Sequence, residues 1–452
     1  MPKNWPVILR DPIHNIIPFG NNECDQLLLK LIDTREFQRL RRIKQLGFTE
    51  FVFPGANHSR FSHSIGVMQT ARRFLIRLGD VMGRKLKPEH KKFVLVAALL
   101  HDLGHGPFSH AFEKITGDPH ENRTREIIAD SSTEVNAVLR EKKDENLPSK
   151  FAHFFDENAE DRKSMEGIPS YLSGIISSQL DADRFDYLLR DSHATGTNYG
   201  EFDLAWIVEH LLPDPEKGRL ILDSKALFAA ETYVFARHHM YQTVYFHKAT
   251  RSAEVMLRLL FKRFKELLAK CDGDDERKTV VPGAPAALVR AFSGKIDLQT
   301  YLQLDDATIV EFLKRTVDCA DELAKSLGVA LLNRRLYKGL DVTEVHHELE
   351  DYNSFVARCR EMVASKGHDP EVVFCLDSAA DTPYKPYDPD AEKPAKMIYV
   401  QNSAGEPREL SQLTDSVDAL KKRRVLHRHY FPEGLRGEIE KIAKETIQRT
   451  RK

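Results

Sequence analysis

The stretch "LLHDLGHGPFSH", residues 99–110, places His101, Asp102, His105 and His110 where an apolar helix runs into glycines and a proline. His101 and Asp102 are adjacent, so on a helix they point about 100° apart and cannot chelate one ion as an i,i+4 pair does. They can share an ion only if it sits beside the helix end and other segments complete its shell. His63 in "RFSHSIGV" and Asp183 in "LDADRFDY" are the candidates. Each lies in a segment with helical apolar spacing, where an inward imidazole or carboxylate needs a reason. Two imidazoles and two carboxylates form a mixed N/O set suited to Mn, Fe, Zn, Co or Ni rather than Ca, and such metals activate water. Any one of these residues alone reads more simply as a hydrogen-bonded core group. The set, in chain order, points to a metal centre.

Positioning such a set requires rigid elements, and the first 270 residues read mainly as helices. Apolar residues at helical intervals run through "DQLLLKLIDTREFQRLRRIKQLG", "SHSIGVMQTARRFLIRLGDVM" and "YLSGIISSQLDADRFDYLLRDS". "PEHKKFVLVAALLHDLGHG" opens with Pro88 and closes on Gly104, the usual asymmetry of helix ends. A long helical region spans "ALFAAETYVFARHHMYQTVYFHKATRSAEVMLRLLFKRFKELLAK", preceded by a strand pair or turn at "GRLILDSKAL". The charged, Pro/Gly-bearing break "CDGDDERKTVVPGAP" (271–285) divides a domain over 1–270, with core motifs at 60–191, from a C-terminal lobe over 271–452. "VVFCLD" and "KMIYVQ" read as strands there, and "GLRGEIEKIAKETIQ" as a closing helix. The expected fold is mainly α: a helical bundle with short β pieces and a smaller α/β C-terminal lobe.

The chain has 452 residues, 41% hydrophobic and 30% charged, with net charge -1. That balance gives no global electrostatic case for nucleic acid or an anionic membrane, so any anion must be met by local clusters. Five scattered cysteines without C-x-x-C spacing fit a reducing compartment. "MPKNWPVILRDPIHN" lacks a signal-peptide apolar core, and no apolar run is long enough to cross a membrane. A soluble, cytoplasmic protein is expected.

The segments "IDTREFQRLRRIKQLGFTEFVFPGANHSRFSHSIGV", "LLHDLGHGPFSH", "PHEN" and "LDADRFDYLLRD" resemble the HD-domain metal-dependent phosphohydrolases. The nearest branch is that of SAM-and-HD-domain deoxynucleoside triphosphate (dNTP) triphosphohydrolases and dGTPase-like proteins, here without a SAM domain. The likeness is dense from about residue 8 to residue 260 and thin afterwards. It implies His63, His101, Asp102 and Asp183 as ligands of a divalent transition metal, with Mg accompanying the triphosphate. It makes His105, His110 and His120 catalytic, with Glu113 the acidic partner of His110. Arg60, Arg184, Arg237 and Lys248 become phosphate donors, since an arginine fork matches phosphate oxygens. Gln45 and Asp191 fall at the sugar 3′-hydroxyl, with Leu46 also in the substrate site. Tyr187 and Tyr245 fall around the sugar, where a ring against C2′ excludes a 2′-hydroxyl.

Phe246 stands where the relatives carry a glutamine near the base. Asp33 and Arg41 match effector positions that contact guanine. However, "VILRDPIH" lacks the expected lysine, and the arginines expected after "YGEFDLAWIVEH" are missing. Effector control is therefore half matched, while a homo-oligomer, dimer or tetramer, is expected. The leading expectation is hydrolysis of a dNTP, dGTP-like, to deoxynucleoside and tripolyphosphate. The first alternative is another nucleotide phosphoester: a monophosphate, a cyclic nucleotide or a nucleic-acid end. The second is a nucleotide-sensing or nucleic-acid-binding protein with a vestigial site. It would use "RRLYKG" and "KKRRVLHRHYF", with Tyr430 and Phe431 stacking on bases.

Overall fold

The computed structural model describes residues 6–83, 86–141, 145–156, 167–294, 296–346, 349–381, 384, 397–422 and 424–446. Helices dominate them, so the fold is mainly α with small sheets. Six helices carry or brace the candidate site: α1 (Arg60–Val81), α2 (Pro88–Leu100), α3 (His110–Thr116), α4 (Ala182–Thr195), α5 (Lys248–Leu268) and α6 (Asp306–Arg315). α1 packs against both α2 and α4, and α5 packs against α3. α2 is buried on every side from Phe93 to Leu100, which makes its last turn a rigid platform. α4 starts where the Asp181 carboxylate accepts the Arg184 N–H at 2.8 Å and ends at Gly196, whose φ of 70° suits a residue without Cβ.

Three segments read as continuous helices are interrupted. Residues 25–47 break at Thr34, whose extended backbone and hydroxyl cap a new short helix, Arg35–Arg39. The 171–192 segment makes one turn at Ser170–Ser173 and becomes helical again only after the Asp181 cap. The long region after residue 226 divides into Leu227–Met240, a π-helical turn at Tyr241–Tyr245, and α5.

Val7–Asp11 and Asn15–Phe19 form a hairpin. Leu211–Asp214 pairs antiparallel with Arg219–Leu222, which meets Tyr399–Gln401 in parallel, and Pro407–Glu409 completes that sheet. In the third sheet Arg424–Phe431 lies between Lys338–Asp341 and Cys375–Asp381. The strand read in "VVFCLD" begins only at Cys375, because Pro370–Val373 forms a helical turn. Tyr430 and Phe431 are buried in this region, so neither offers a ring for base stacking.

Buried apolar side chains form three clusters. The largest joins the hairpin, α1, α2 and α4 with Ile398, Val400 and Leu410. A second centres on α5 and α6 and takes in Phe48, Phe108 and Phe112. The third lies under the last sheet, around Phe355, Phe374 and Phe431. The candidate site lies where the first two meet.

Candidate active site

The first turn of α1 supplies Arg60 and His63, the end of α2 supplies His101 and Asp102, and the first turn of α4 supplies Asp183. His63 Nδ1 lies 2.8 Å from Asp186 Oδ2, and His101 Nδ1 lies 2.9 Å from the Ala98 carbonyl. Each acceptor calls for a proton on Nδ1 and so leaves Nε2 as the lone-pair atom. Both Nε2 atoms turn toward the same carboxylates. His63 Nε2 is 3.0 Å from Asp183 Oδ1 and 3.6 Å from Asp102 Oδ2. His101 Nε2 is 3.3 Å from Asp102 Oδ1 and 3.7 Å from Asp183 Oδ1, buried and without a hydrogen bond among the described residues. One ligand atom each from His63, His101 and Asp183 falls within a 4.8 Å span.

Lone pairs and carboxylate oxygens facing one another call for positive charge between them. The same carboxylates favour protonated imidazoles. Burial works against charge here, yet Asp183 and Asp186 push His63 up to about 10, and Asp102 and Asp183 raise His101. The neighbouring cations hold Asp102 and Asp183 below the usual carboxylate range despite burial. The donor set therefore fits a divalent transition metal.

Asp186, which the sequence reading missed, is the hub behind this set. Its carboxylate meets His63, His14 Nε2 at 2.7 Å, and Arg190 Nε at 2.8 Å, and Arg190 also bridges to Asp11. Such outer carboxylates fix the tautomer and basicity of a ligating histidine. Gly66 makes room for it: a Cβ there would stand 1.9 Å from Asp186 Oδ1. The signal was the i,i+3 spacing of Asp183 and Asp186 in "LDADRFDY", which a solvated helix face shares.

Beside these four side chains, the His105 and His120 rings stack with centroids 3.7 Å apart. Glu113 Oε1 lies 2.8 Å from His120 Nδ1 and 3.2 Å from His105 Nδ1. Burial, with Arg60 and His120 nearby, pushes His105 down to about 3, whereas Glu113 raises His120 against burial. Glu113 thus serves His105 and His120. The side chain of His110, at the start of α3, lies outside the described residues. Arg60 donates to Asp102 Oδ2 at 2.5 Å and to Ser109 Oγ at 3.0 Å.

A cavity of about 450 Å³ opens over these groups, lined also by Gln45, Leu46, Tyr187, Asp191, Tyr245 and Phe246. Tyr245 donates to Asp191 Oδ2 at 2.7 Å, and His58 Nε2 meets Asp191 Oδ1 at the same distance. Tyr187 and Tyr245 pack edge to face, 6.3 Å apart. Gln45 Oε1 is buried at the cavity wall with no hydrogen-bond partner among the described residues. Arg184 is tied to Asp181 and the Ser178 carbonyl, while Arg237 lies 5.3 Å from the Tyr241 ring. Lys248 is exposed and lines a separate recess with Arg334 and Arg436. Asp33 and Arg41 are exposed, Arg41 bonding Gln38 and covering the Phe61 ring.

Residues 60–191 match the HD domain and residues 202–275 the HD associated region. The chain is 37% identical over 433 residues to the uncharacterized protein YwfO of Bacillus subtilis, covering 95% of this chain and 92% of that relative. It belongs to the HD-domain family of phosphohydrolases, whose HD domains bind divalent metals. It is related to the branch that includes the deoxynucleoside triphosphate triphosphohydrolase SAMHD1 homolog of Dictyostelium discoideum. That protein is 31% identical over 310 residues, 64% of this chain and 55% of the relative. A phosphohydrolase structure from Bacteroides thetaiotaomicron superposes with a TM-score of 0.76 at 26% identity, covering 95% of this chain and all of that one. Among the described residues no helix is long and apolar enough to cross a membrane.

Proposed function

We propose that the protein is a metal-dependent dNTP triphosphohydrolase, converting a dNTP and water to deoxynucleoside and tripolyphosphate. The observation that carries this reading is the Tyr187–Tyr245–Asp191 wall standing in the same cavity as Asp102 and Asp183. A divalent metal held by His63, His101, Asp102 and Asp183 would supply Lewis acidity and an activated water. Arg60 fixes Asp102 and offers a guanidinium to phosphoryl oxygens, with Arg237 as the further donor. The departing 5′-oxygen needs a proton. His120, its Nδ1 2.8 Å from Glu113 Oε1 at the cavity wall, is the group to supply it, and His105 stacks against it. His110 keeps its catalytic role in this reading by chain position. Asp191, fixed by Tyr245 and His58, accepts from the sugar 3′-hydroxyl, and Gln45 Oε1 is a second acceptor there. In this reading a tyrosine ring packed against C2′ excludes a 2′-hydroxyl.

The test is a product assay with each dNTP and with GTP, alone and mixed, in Mn²⁺ and Mg²⁺. A His101→Ala/Asp102→Ala protein serves as control. Tripolyphosphate and deoxynucleoside from the wild type alone support the reading, and mixtures with GTP report on Asp33 and Arg41. All four dNTPs left intact by metal-loaded protein would refute it and turn attention to other phosphoesters.

A further inference from the structure

Asp306, at the first turn of α6, is a buried carboxylate far along the chain from every metal motif. Among the described residues no cation pairs with it, and the nearby Lys44 ammonium turns to Glu50 at 2.5 Å. Its two oxygens are spent on backbone. Oδ2 accepts the Lys44 N–H at 2.9 Å and Oδ1 accepts the Phe108 N–H at 2.8 Å. Burying an unpaired carboxylate is unfavourable, so a contact that persists this way needs a purpose.

Both recipients are turns of the cavity wall. Lys44 precedes Gln45 and Leu46, which line the cavity. Phe108 and Ser109 have φ of 51° and 49°, a left-handed pair without a glycine, which survives only where the surroundings enforce it. The consequence lies one residue on. Ser109 Oγ accepts from Arg60 Nε, and Arg60 donates to Asp102. The same segment braces the loop twice more. Tyr301 donates to the Gly104 carbonyl at 2.5 Å, and Arg39 joins the Leu304 and His105 carbonyls at 2.9 and 2.8 Å.

We propose that Asp306 is a positioning residue whose carboxylate clamps the Lys44 and Phe108 turns together, so that Ser109 holds Arg60 against Asp102. Residues 301–306 thereby set the geometry of the catalytic loop from outside the metal motifs. Only the activity arm of the test rests on the hydrolase reading.

Asp306→Asn keeps the volume but leaves one of the two N–H groups facing an NH₂. In this variant the Lys44 and Phe108 amides should exchange with deuterium faster than in wild type, with bound metal per chain unchanged. Turnover per metal-loaded chain should fall by about 10²-fold, the scale of an ångström-sized misplacement, with kcat falling more than KM rises. Thr308→Ala weakens the same helix start without touching the clamp and should keep wild-type turnover per metal-loaded chain. Bis(p-nitrophenyl) phosphate is the second substrate, because the Arg60–Asp102 contact involves no nucleoside recognition. A wild type active on this ester but not on dNTPs removes the substrate assignment and still tests the clamp. Unchanged Lys44 and Phe108 exchange overturns the proposal. So does faster exchange with unchanged kcat, or an equal loss of turnover in Thr308→Ala.

Discussion

At the scale of single residues, the candidate centre depends on groups outside its own donor set. Asp186 fixes the tautomer of His63 while being held by His14, Arg190 and, through Arg190, Asp11. Asp186→Asn should weaken metal affinity by about 10–100-fold, read by chelator competition, because the amide cannot replace a carboxylate for all its donors. An unchanged dissociation constant would show that His63 needs no such support. Gly66→Ala should behave alike and also lower stability, since its Cβ would stand 1.9 Å from Asp186 Oδ1. That His63, His101, Asp102 and Asp183 come together was legible because residue type and chain order carry the chemistry the set could perform. His14 was not, for it meets Asp186 across 172 positions, a relation that local spacing cannot encode.

At the scale of elements, helices were legible from their apolar period, but their interruptions were not. Thr34 and Asp181 cap new helices by side-chain bonds to backbone three residues on, within segments whose apolar spacing continues through the break. The π-helical turn Tyr241–Tyr245 was likewise hidden inside a helical pattern. Its consequence is functional. A wider turn changes the register, and Tyr241, Tyr245 and Phe246 all line the cavity. If Tyr187 and Tyr245 exclude a 2′-hydroxyl, Tyr187→Ala should narrow the preference for dNTPs over NTPs by about 10-fold, on the scale set by small steric differences in a pocket. Parallel kcat/KM values for dGTP and GTP measure it. A ratio equal to wild type would move sugar selection to other residues.

At the scale of the whole molecule, a buried ion pair joins the second apolar cluster to the third. Arg251 on α5 makes a two-point contact with Asp377 on the last sheet, at 2.7 and 2.9 Å. Asp377→Ala leaves that guanidinium with only Glu254 among the described residues, and should cost about 3 kcal/mol in denaturant unfolding. The cluster under that sheet also contains an acid-sensitive element. His429 is buried, stacks on Phe374 with centroids 4.1 Å apart, and meets Tyr352 Oη at 3.0 Å through Nε2. Burial, with Arg360 and His346 nearby, pushes its pKa from 6.5 down to about 3. The folded chain therefore refuses a proton that the unfolded chain accepts. This contribution is complete above about pH 6.5 and is lost progressively as pH falls toward 3, at up to about 1.4 kcal/mol per pH unit. Carboxylates titrate in the same window, so the wild type alone cannot isolate it. His429→Phe keeps the stack and removes the titration, at the expense of the Tyr352 partner. It should melt lower than wild type near neutrality, with a shallower decline of Tm between pH 6.5 and 4. Parallel declines for the two proteins would mean that His429 takes up its proton in the folded state, through local opening of that sheet.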